Sequence, residues 1–265
     1  MKRDPYAKFL HSKAIVAKPK GIDVDTLNPA LFDFQTQITK WALRRGKAAL
    51  FEDCGLGKTV QQLEWAKHVS QHGDVLILAP LAVAQQDKDE GKKFGHEVNI
   101  CRTQDDVLPG INVTNYEMLE HFEPRRFVGV VLDESSRLKS LTGKQRNQII
   151  AMFRRTQFKL ACTATPAPND FVELGNHAEF LGIMSHSEML STFFVHDGGD
   201  TSKWRLKGHA EQEFWKWICS WAVNIRKPSD LGFSDEGFAL PTLHMHEHSV
   251  DTKATLDGFL FQMQA

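Results

Sequence analysis

The chain has 265 residues, of which 42% are hydrophobic and 25% charged, and this ordinary composition allows one full domain and a partial second one. No run approaches the roughly 20 apolar residues of a membrane-spanning helix, and the four cysteines lie far apart, which argues against a membrane protein, a disulfide framework and a zinc ribbon. The formal net charge of −1 excludes a generally basic coat. We therefore expect a cytoplasmic protein with no membrane partner, in which any nucleic-acid binding comes from local patches.

The first two thirds of the chain predict an α/β domain. Residues 1–27 resemble a loosely structured arm, and residues 30–45 form a helical pattern after Asn28-Pro29. From there to residue 165, apolar runs such as VLILA and VGVVL alternate with helical patterns, which suits a doubly wound parallel sheet covered on both faces. The strands are expected at 48–51, 75–79, 98–102, 111–114, 128–132 and 158–162, with helices at 59–70 and 144–155 among them.

The alternation stops after Pro166, where Phe, Trp and His residues accumulate. Helices are predicted at 171–181, 187–194 and 209–223, a glycine loop at 197–200 and an extended run at 242–250. Five aromatic residues have a spacing that favours the core of a small helical subdomain, or a docking face, over a base-stacking platform; they are Trp204, Phe214, Trp215, Trp217 and Trp221. Three alternating histidines favour a solvated strand face over a metal site; they are His244, His246 and His248.

The strongest chemical signal is the run FEDCGLGKT, which follows a predicted strand and ends at Thr59, where a helix opens. Gly55 and Gly57 let the backbone bend so that its N–H groups face phosphate oxygens. Lys58 supplies positive charge for the β- and γ-phosphates of ATP, and Thr59 supplies a hydroxyl for Mg²⁺. Glu52 stands where many phosphate loops have glycine, so its carboxylate is expected to point away from phosphate. Alone, the run is also compatible with a plain glycine turn.

The second signal is VVLDESS, an apolar strand that ends in the adjacent carboxylates Asp133 and Glu134. Successive strand residues point to opposite sides, so the two carboxylates can take different roles. Asp133 is expected to hold Mg²⁺, and Glu134 to orient or deprotonate the attacking water. By itself the pair fits a solvated acidic turn equally well. The phosphate loop about 75 residues upstream favours catalysis, because this spacing suits two strands of one nucleotide-binding sheet.

In their order along the chain, these motifs resemble the first RecA-like lobe of a superfamily 2 helicase or translocase, related to DEAD/DEAH-box proteins and nearest the Swi/Snf-like branch. DCGLGKT resembles the phosphate loop, Phe34-Gln35 the adenine-reading glutamine motif, and DESS the DEAH-type box. LAPL with Gln85 and Gln86 resembles motif Ia, VTNYE the next strand-contact motif, and TATP motif III. The runs LDESSRLKS and RKPSDLGF resemble phage or prophage members, which implies a bacterial or phage-infected host cytosol.

The resemblance implies a RecA-like P-loop NTPase domain that uses ATP and Mg²⁺. The amide of Gln35 has the donor and the acceptor needed to read adenine, although a polar residue on an entry helix is the alternative. Thr163 and Thr165 follow the strand that is expected beside the one bearing Asp133. Their hydroxyls are therefore expected to hydrogen-bond the carboxylates of Asp133 and Glu134 and to transmit nucleotide state. The alternative is a plain turn set by Pro166. The implied ATP-binding residues are Gln35, Asp53, Cys54, Gly55, Leu56, Gly57, Lys58 and Thr59.

Nucleic acid is expected along the edge of the sheet, and the Swi/Snf-like resemblance favours duplex DNA. Short polar side chains and backbone amides there can hold phosphates without reading bases, which suits a motor that moves along any sequence. The residues expected to contact it are Pro80, Gln85, Thr114, Asn115, Tyr116 and Arg137.

The expected organisation is an N-terminal arm at 1–29, an ATP-binding lobe at 30–168, a helical insert or linker at 169–238 and the start of a truncated second lobe at 239–265. In this family the second lobe supplies arginines for phosphoryl transfer, so the isolated chain is expected to turn over ATP weakly or not at all. Three functions stay open: an ATP-dependent DNA helicase or duplex translocase, a nucleotide-dependent DNA-binding module without hydrolysis, and the motor part of a restriction or replication complex completed by a partner subunit.

Overall fold

The computed structural model describes residues 16–81, 83–139, 143–197, 200–238 and 245–247. Helices and strands follow in the order α1 (Asp33–Arg45), β1 (Lys47–Glu52), α2 (Lys58–Val69), β2 (Asp74–Ala79), α3 (Ala84–Lys93), β3 (Val98–Ile100), β4 (Ile111–Asn115), β5 (Phe127–Asp133), α4 (Lys144–Met152), β6 (Phe158–Thr163), α5 (Leu174–Leu181), α6 (His186–Phe193), β7 (Phe194–Asp197), β8 (Asp200–Leu206), α7 (Glu211–Cys219) and β9 (Ala222–Ile225). Short 3₁₀ helices lie at Ser70–His72, Gln104–Asp106, Tyr116–His121, Pro124–Arg126, Ser135–Lys139, Phe171–Glu173, Gly208–Ala210 and Pro228–Leu231.

Seven strands form one sheet in the order β3-β4-β2-β5-β6-β1-β9, and every pairing in it is parallel. Strands β7 and β8 form a separate antiparallel hairpin. Because parallel strands run in the same direction, the carboxyl ends of the adjacent strands β5, β6 and β1 meet at one edge. The α/β class and the parallel sheet predicted from the sequence are confirmed, and the sheet brings both chemical motifs to the same edge.

The core has two halves, one on each face of the sheet. Alternation along β1 sends Ala49 and Phe51 to one face and Ala48 and Leu50 to the other. Apolar residues of α1 and α2 cover the second face, and those of α4 to α7 cover the first. The inner strands β4, β2, β5, β6 and β1 are therefore buried on both sides, which explains why most of the predicted strands read as unbroken apolar runs.

The segment after Pro166 differs from the predicted helical insert. The helix predicted at 209–223 ends at Cys219, and residues 222–225 form β9, which pairs with β1 and extends the main sheet. The glycine loop predicted at 197–200 is flanked by two paired strands, although Gly198 and Gly199 lie outside the described residues. The run predicted at 242–250, with His244 and His248, lies outside them too, apart from residues 245–247.

The aromatic cluster belongs to the main core and not to a separate subdomain. Phe214, Trp217 and Trp221 are fully buried, and the Trp221 ring lies 6.1 Å from that of Phe51 in β1. The prediction that these three residues are buried core residues is confirmed, but the core is that of the main sheet and not that of a small helical subdomain. Trp204 and Trp215 are partly buried and pack against the same core. The Trp204 ring on β8 also contacts the His196 ring of β7, with 3.8 Å between ring centroids.

The described part of the amino-terminal arm is held by hydrogen bonds. Successive N–H groups of residues 20–22 donate to the carbonyls of residues 45, 44 and 43, which closes the carboxyl end of α1. Asn28 donates its N–H to Glu64 of α2 and its side-chain amide to the Phe94 carbonyl. The described residues of the arm form no helix or strand, and these hydrogen bonds attach them to α1, to α2 and to Phe94. The bounds of the arm stay a prediction. None of the helices in the described part of the chain has the length and apolar character needed to cross a membrane.

Candidate nucleotide site

The loop between β1 and α2 has the backbone geometry of an anion cradle. Gly55 and Gly57 have φ angles of +83° and +77°, the left-handed region that glycine adopts at little cost. Helix α2 begins at Lys58 directly after Gly57, its N-terminus has no side-chain cap, and its first turn contains no acidic residue. The first N–H groups of this helix are therefore free to bind an anion, which the helix dipole also favours.

Lys58 lies over this loop. Its ammonium group donates to the backbone carbonyls of Glu52, at 2.8 Å, and Asp53, at 3.0 Å. The Asp53 carboxylate is exposed and accepts a hydrogen bond from the Cys54 N–H at 2.7 Å. Leu56 has its side chain in the core, so it can contribute only backbone groups to a ligand. The positive charge of Lys58 is thus placed beside the free N–H groups of α2.

Glu52 points away from the loop into the protein, as the sequence analysis expected. Its side chain is fully buried and accepts a hydrogen bond from Gln61 of α2 at 2.7 Å. Burial raises the pKa of the Glu52 carboxyl to about 7, against the smaller opposing effects of Gln61 and Lys58. The remaining carboxyl oxygen of Glu52 and the side-chain oxygen of Gln61 are both buried without a partner. This carboxyl therefore belongs to the packing behind the loop.

Gln35 touches the phosphate loop directly. Its amide nitrogen donates to the Leu56 carbonyl at 2.9 Å, and its amide oxygen accepts from the Phe32 N–H at 3.1 Å. A Cβ atom added to Gly57 would lie 2.4 Å from the same amide nitrogen, so glycine is needed there for space as well as for its φ angle. Gln35 is buried, and adenine reading by its remaining hydrogen and lone pair stays a prediction.

The carboxylates at the end of β5 have different surroundings. Gln62 of α2 donates to Asp133 at 2.8 Å, and burial raises the pKa of the Asp133 carboxyl. Glu134 has a φ angle of +56°, and among the described residues it alone has a positive φ without being glycine. Such a conformation costs on the order of 1–2 kcal/mol and persists only where neighbours hold it. One oxygen of Glu134 accepts from the Ser136 hydroxyl at 2.5 Å and from the Thr163 hydroxyl at 2.7 Å.

The expected hydrogen bond between the threonines and the carboxylate pair is made by Thr163 alone. Its hydroxyl donates to Glu134 and accepts from the backbone N–H of Thr165 at 3.0 Å, so Thr165 contributes through its backbone. This arrangement ties the end of β6 to the end of β5. Whether it transmits nucleotide state stays a prediction.

The donor set fits Mg²⁺ bound together with a nucleotide. The described residues contain no group of three or more His, Cys, Asp or Glu that would hold a metal alone. Mg²⁺ beside phosphates needs only one or two protein groups, since phosphate and water oxygens complete its shell. Thr59 lies one turn before Gln62 on the same face of α2, and Gln62 holds Asp133, so hydroxyl and carboxylate lie on one side of the loop.

Two of the residues predicted to contact nucleic acid are buried, which corrects the sequence analysis. Thr114 is 1% exposed, and Tyr116 is 2% exposed with its hydroxyl donating to the Asp133 carbonyl at 2.7 Å. Asn115 accepts the N–H groups of residues 117 and 118 and so caps a 3₁₀ helix. Tyr116 therefore shapes the site from inside the protein, whereas Asn115 is partly exposed and uses its side-chain oxygen for the cap.

The other four predicted contact residues, including Asn115, retain accessible surface. Pro80 and Arg137 are partly exposed, and Gln85 is exposed. The Arg137 guanidinium lies 4.8 Å from the Tyr116 ring centroid and pairs with Glu117 at 3.1 Å. Arg137 therefore carries positive charge at the surface directly above the tyrosine that contacts Asp133.

Sequence reasoning missed several residues of the site. Gln62 could have been found, because it lies three residues after Thr59 and so on the same helix face. Ser136 is adjacent to the acidic pair, but its hydrogen bond depends on the left-handed backbone of Glu134, which a sequence pattern does not reveal. The Glu52–Gln61 contact likewise depends on how β1 packs on α2.

The family model for the SNF2-related domain matches residues 34–197, which is more than half of the chain. The chain belongs to the SNF2-related domain family. This family of helicase-like ATPase motors accounts for the phosphate loop, the acidic pair and the parallel sheet together. The resemblance to the Swi/Snf-like branch noted from the motifs is confirmed.

Curated relatives of this SNF2-related chain are much longer. It is 27% identical over 161 residues to the mouse (Mus musculus) DNA annealing helicase and endonuclease ZRANB3, covering 54% of this chain and 15% of that protein. It is 30% identical over 155 residues to the Caenorhabditis elegans homologue of SWI/SNF-related matrix-associated actin-dependent regulator of chromatin subfamily A-like protein 1, covering 51% of this chain and 22% of the relative. The chain thus spans less than a quarter of either protein.

Solved structures support the fold of this SNF2-related domain. The Sulfolobus solfataricus SWI2/SNF2 ATPase core in complex with dsDNA superposes with a TM-score of 0.62 at 20% identity, covering 82% of this chain and 48% of that one. The core domain of the same archaeal protein gives a TM-score of 0.60 at 20% identity, covering 78% and 48%. The described fold is therefore that of a RecA-like helicase lobe, and the chain spans about half of the archaeal core.

Proposed function

We propose that this chain is the ATP-binding lobe of a motor that couples ATP hydrolysis to action on duplex DNA, as a helicase or translocase. The observation that carries the proposal is that Lys58, Asp133 and Glu134 lie at the same edge of the sheet, at the carboxyl ends of β1 and β5. Thr163, at the end of the intervening strand β6, holds Glu134. Positive charge, a metal-binding carboxylate and a positioned base are the groups that phosphoryl transfer to water requires.

In this proposal the loop backbone and Lys58 bind the β- and γ-phosphates, and Thr59 and Asp133 hold Mg²⁺. When bound, Mg²⁺ supplies charge neutralisation for the phosphate oxygens. Glu134 orients the attacking water and accepts its proton as the water oxygen bonds to the γ-phosphorus and the bond to ADP breaks. Thr163 keeps one oxygen of Glu134 occupied, so the other is the one available to water.

Duplex DNA is the proposed track for two reasons. One is membership of a family with a DNA annealing helicase among this chain's relatives and a dsDNA complex among its structural neighbours. The other is Arg137, whose partly exposed guanidinium lies above the ring of Tyr116, the residue that donates to the Asp133 carbonyl. A phosphate bound by Arg137 would be linked to the nucleotide site by two contacts, that of Arg137 with the Tyr116 ring and that of the Tyr116 hydroxyl with the Asp133 carbonyl.

The test is ATP turnover titrated with duplex DNA, single-stranded DNA and duplex RNA at one ionic strength, because phosphate contacts depend strongly on salt. We expect the largest stimulation from duplex DNA, and none of this turnover in Glu134→Gln. Equal turnover by Glu134→Gln and the unaltered chain would overturn the catalytic assignment. Stimulation by RNA alone would overturn the assignment of the track.

A further inference from the structure

A buried histidine outside the motifs contacts the segment that carries Glu134. His177 lies on α5 and is fully buried, and its Nε2 lies 3.1 Å from the hydroxyl of Ser135, the residue after Glu134. Ser135 is fully buried as well. The preceding residue of α5, Asn176, donates its side-chain amide to the carbonyl of Lys139 at 3.2 Å. Consecutive residues of one helix therefore hold the first and last residues of the 3₁₀ helix that follows Glu134.

The same histidine also contacts the strand that leads into the phosphate loop. Its ring meets Phe51 of β1 edge to face, with 5.1 Å between centroids. Phe51 is the register partner of Thr163, whose hydroxyl holds the Glu134 carboxylate. His177 is thus packed against the strand of the phosphate loop while it hydrogen-bonds the segment of the acidic pair.

Glu134 needs such support because its backbone is strained. The contacts from Ser136 and Thr163 fix its carboxylate, but they leave the left-handed backbone to be held from the residues that follow. Ser135 is the next residue, and a rotation about the bonds of Glu134 would move its hydroxyl away from His177. A hydrogen bond between two fully buried groups is costly to break, since each would be left unpaired.

We propose that His177 is a positioning residue for the proposed hydrolysis, acting through Ser135 to hold Glu134 in the conformation that orients the attacking water. This inference rests on the proposed function. His177 does not touch the reacting atoms; it fixes the backbone of the residue that does. Burial lowers the pKa of His177 to about 4, so the ring is neutral at physiological pH. Its role is to hold Ser135 in place through a hydrogen bond.

The test compares two substitutions at His177 with a matched control on the neighbouring helix. His177→Leu keeps an apolar side chain in the core and removes the hydrogen bond, whereas His177→Gln keeps a polar group at the same reach. His186→Leu is the control, because His186 also hydrogen-bonds through Nε2, to the Val172 carbonyl at 3.0 Å, but does not contact the Glu134 segment. Circular dichroism establishes that each variant is folded.

We expect His177→Leu to lower kcat for ATP by about 10- to 100-fold with KM changed by less than about twofold, because misplacing a catalytic group affects the transition state more than ground-state binding. His177→Gln should recover most of kcat, and His186→Leu should retain it. A kcat unchanged in His177→Leu, or lost equally in His186→Leu, would overturn the inference.

A second readout needs no turnover. Hydrogen exchange of the backbone amides of residues 133–139 should accelerate in His177→Leu, remain slow in His186→Leu and slow again in His177→Gln. Unaltered exchange in His177→Leu would show that His177 does not hold the Glu134 segment and would overturn the inference. The proposed function fails if the unaltered chain binds no Mg-ATP, and the exchange comparison decides separately whether His177 holds the Glu134 segment, even where turnover by this one lobe is too slow to measure.

Discussion

Replacing Glu52 by Gln should stabilise the protein in alkaline solution and leave it unchanged in acid. Glu52 is fully buried behind the phosphate loop, and one of its oxygens accepts from Gln61. The other oxygen and the Gln61 side-chain oxygen lack partners. A protonated carboxyl can donate to that oxygen and complete a cyclic pair, whereas a carboxylate cannot. The amide of Glu52→Gln can form the same cyclic pair at every pH.

The size of the effect follows from the pKa of Glu52. A rise from 4.5 in the unfolded chain to about 7 in the folded protein corresponds to about 3 kcal/mol. Because the folded-state pKa is the higher one, this stability is fully present below pH 4.5 and is lost as the pH rises through about 7. Between pH 5 and 8.5 the unaltered protein should therefore lose about 2 to 3 kcal/mol that the variant keeps.

Urea unfolding at pH 5 and pH 8.5 measures this difference. At pH 8.5 the free energy of unfolding of Glu52→Gln should exceed that of the unaltered protein, and a thermal melt should show a Tm about 5 to 10 °C higher. At pH 5 the two proteins should be similar. Glu97→Gln is the control. Glu97 is exposed, so this substitution removes one carboxylate without changing the core. The same pH dependence in Glu52→Gln as in the unaltered protein would refute the argument.

Three further substitutions test the site. Gly57→Ala should destabilise the fold by about 2 kcal/mol or more and weaken ATP binding, because alanine would have to adopt the positive φ of Gly57 and would displace the Gln35 amide. An unchanged free energy of unfolding and an unchanged ATP affinity would contradict this. Glu134→Gln should keep ATP affinity, measured by calorimetry, and lose turnover; retained turnover would remove Glu134 as the base. Arg137→Glu should reduce duplex DNA affinity in anisotropy measurements and lower its salt dependence, and an unaltered salt slope would show that Arg137 contacts no phosphate.

The sequence predicted the parts of this protein that depend on local pattern. The six strands from β1 to β6 are found within two residues of their expected bounds, because buried parallel strands read as apolar runs. The phosphate loop and the acidic pair were predicted from residue types and order, and the parallel sheet then brings them to one edge. Their catalytic and metal-binding roles remain predictions.

The features that were missed depend on non-local contacts. Strand β9 is only four residues long and follows a helix in sequence, so its extended form depends on pairing with β1, more than 170 residues earlier. Tyr116 reads as a surface residue at a strand end, and only the packed structure shows its hydroxyl donating to Asp133. His177 lies in a helix without any motif, and its contact with Ser135 requires α5 to pack against the sheet.

Steady-state ATP hydrolysis with and without duplex DNA, with Lys58→Ala as the blank, is the measurement that decides whether this chain contains a working ATP site. Lys58→Ala should bind Mg-ATP at least about 100-fold more weakly, because the loop amides alone do not balance the charge of the β- and γ-phosphates. Turnover by the unaltered chain should exceed this blank and rise with duplex DNA. Turnover by Lys58→Ala equal to that of the unaltered chain, with the same nucleotide affinity, would contradict the assignment of the phosphate loop.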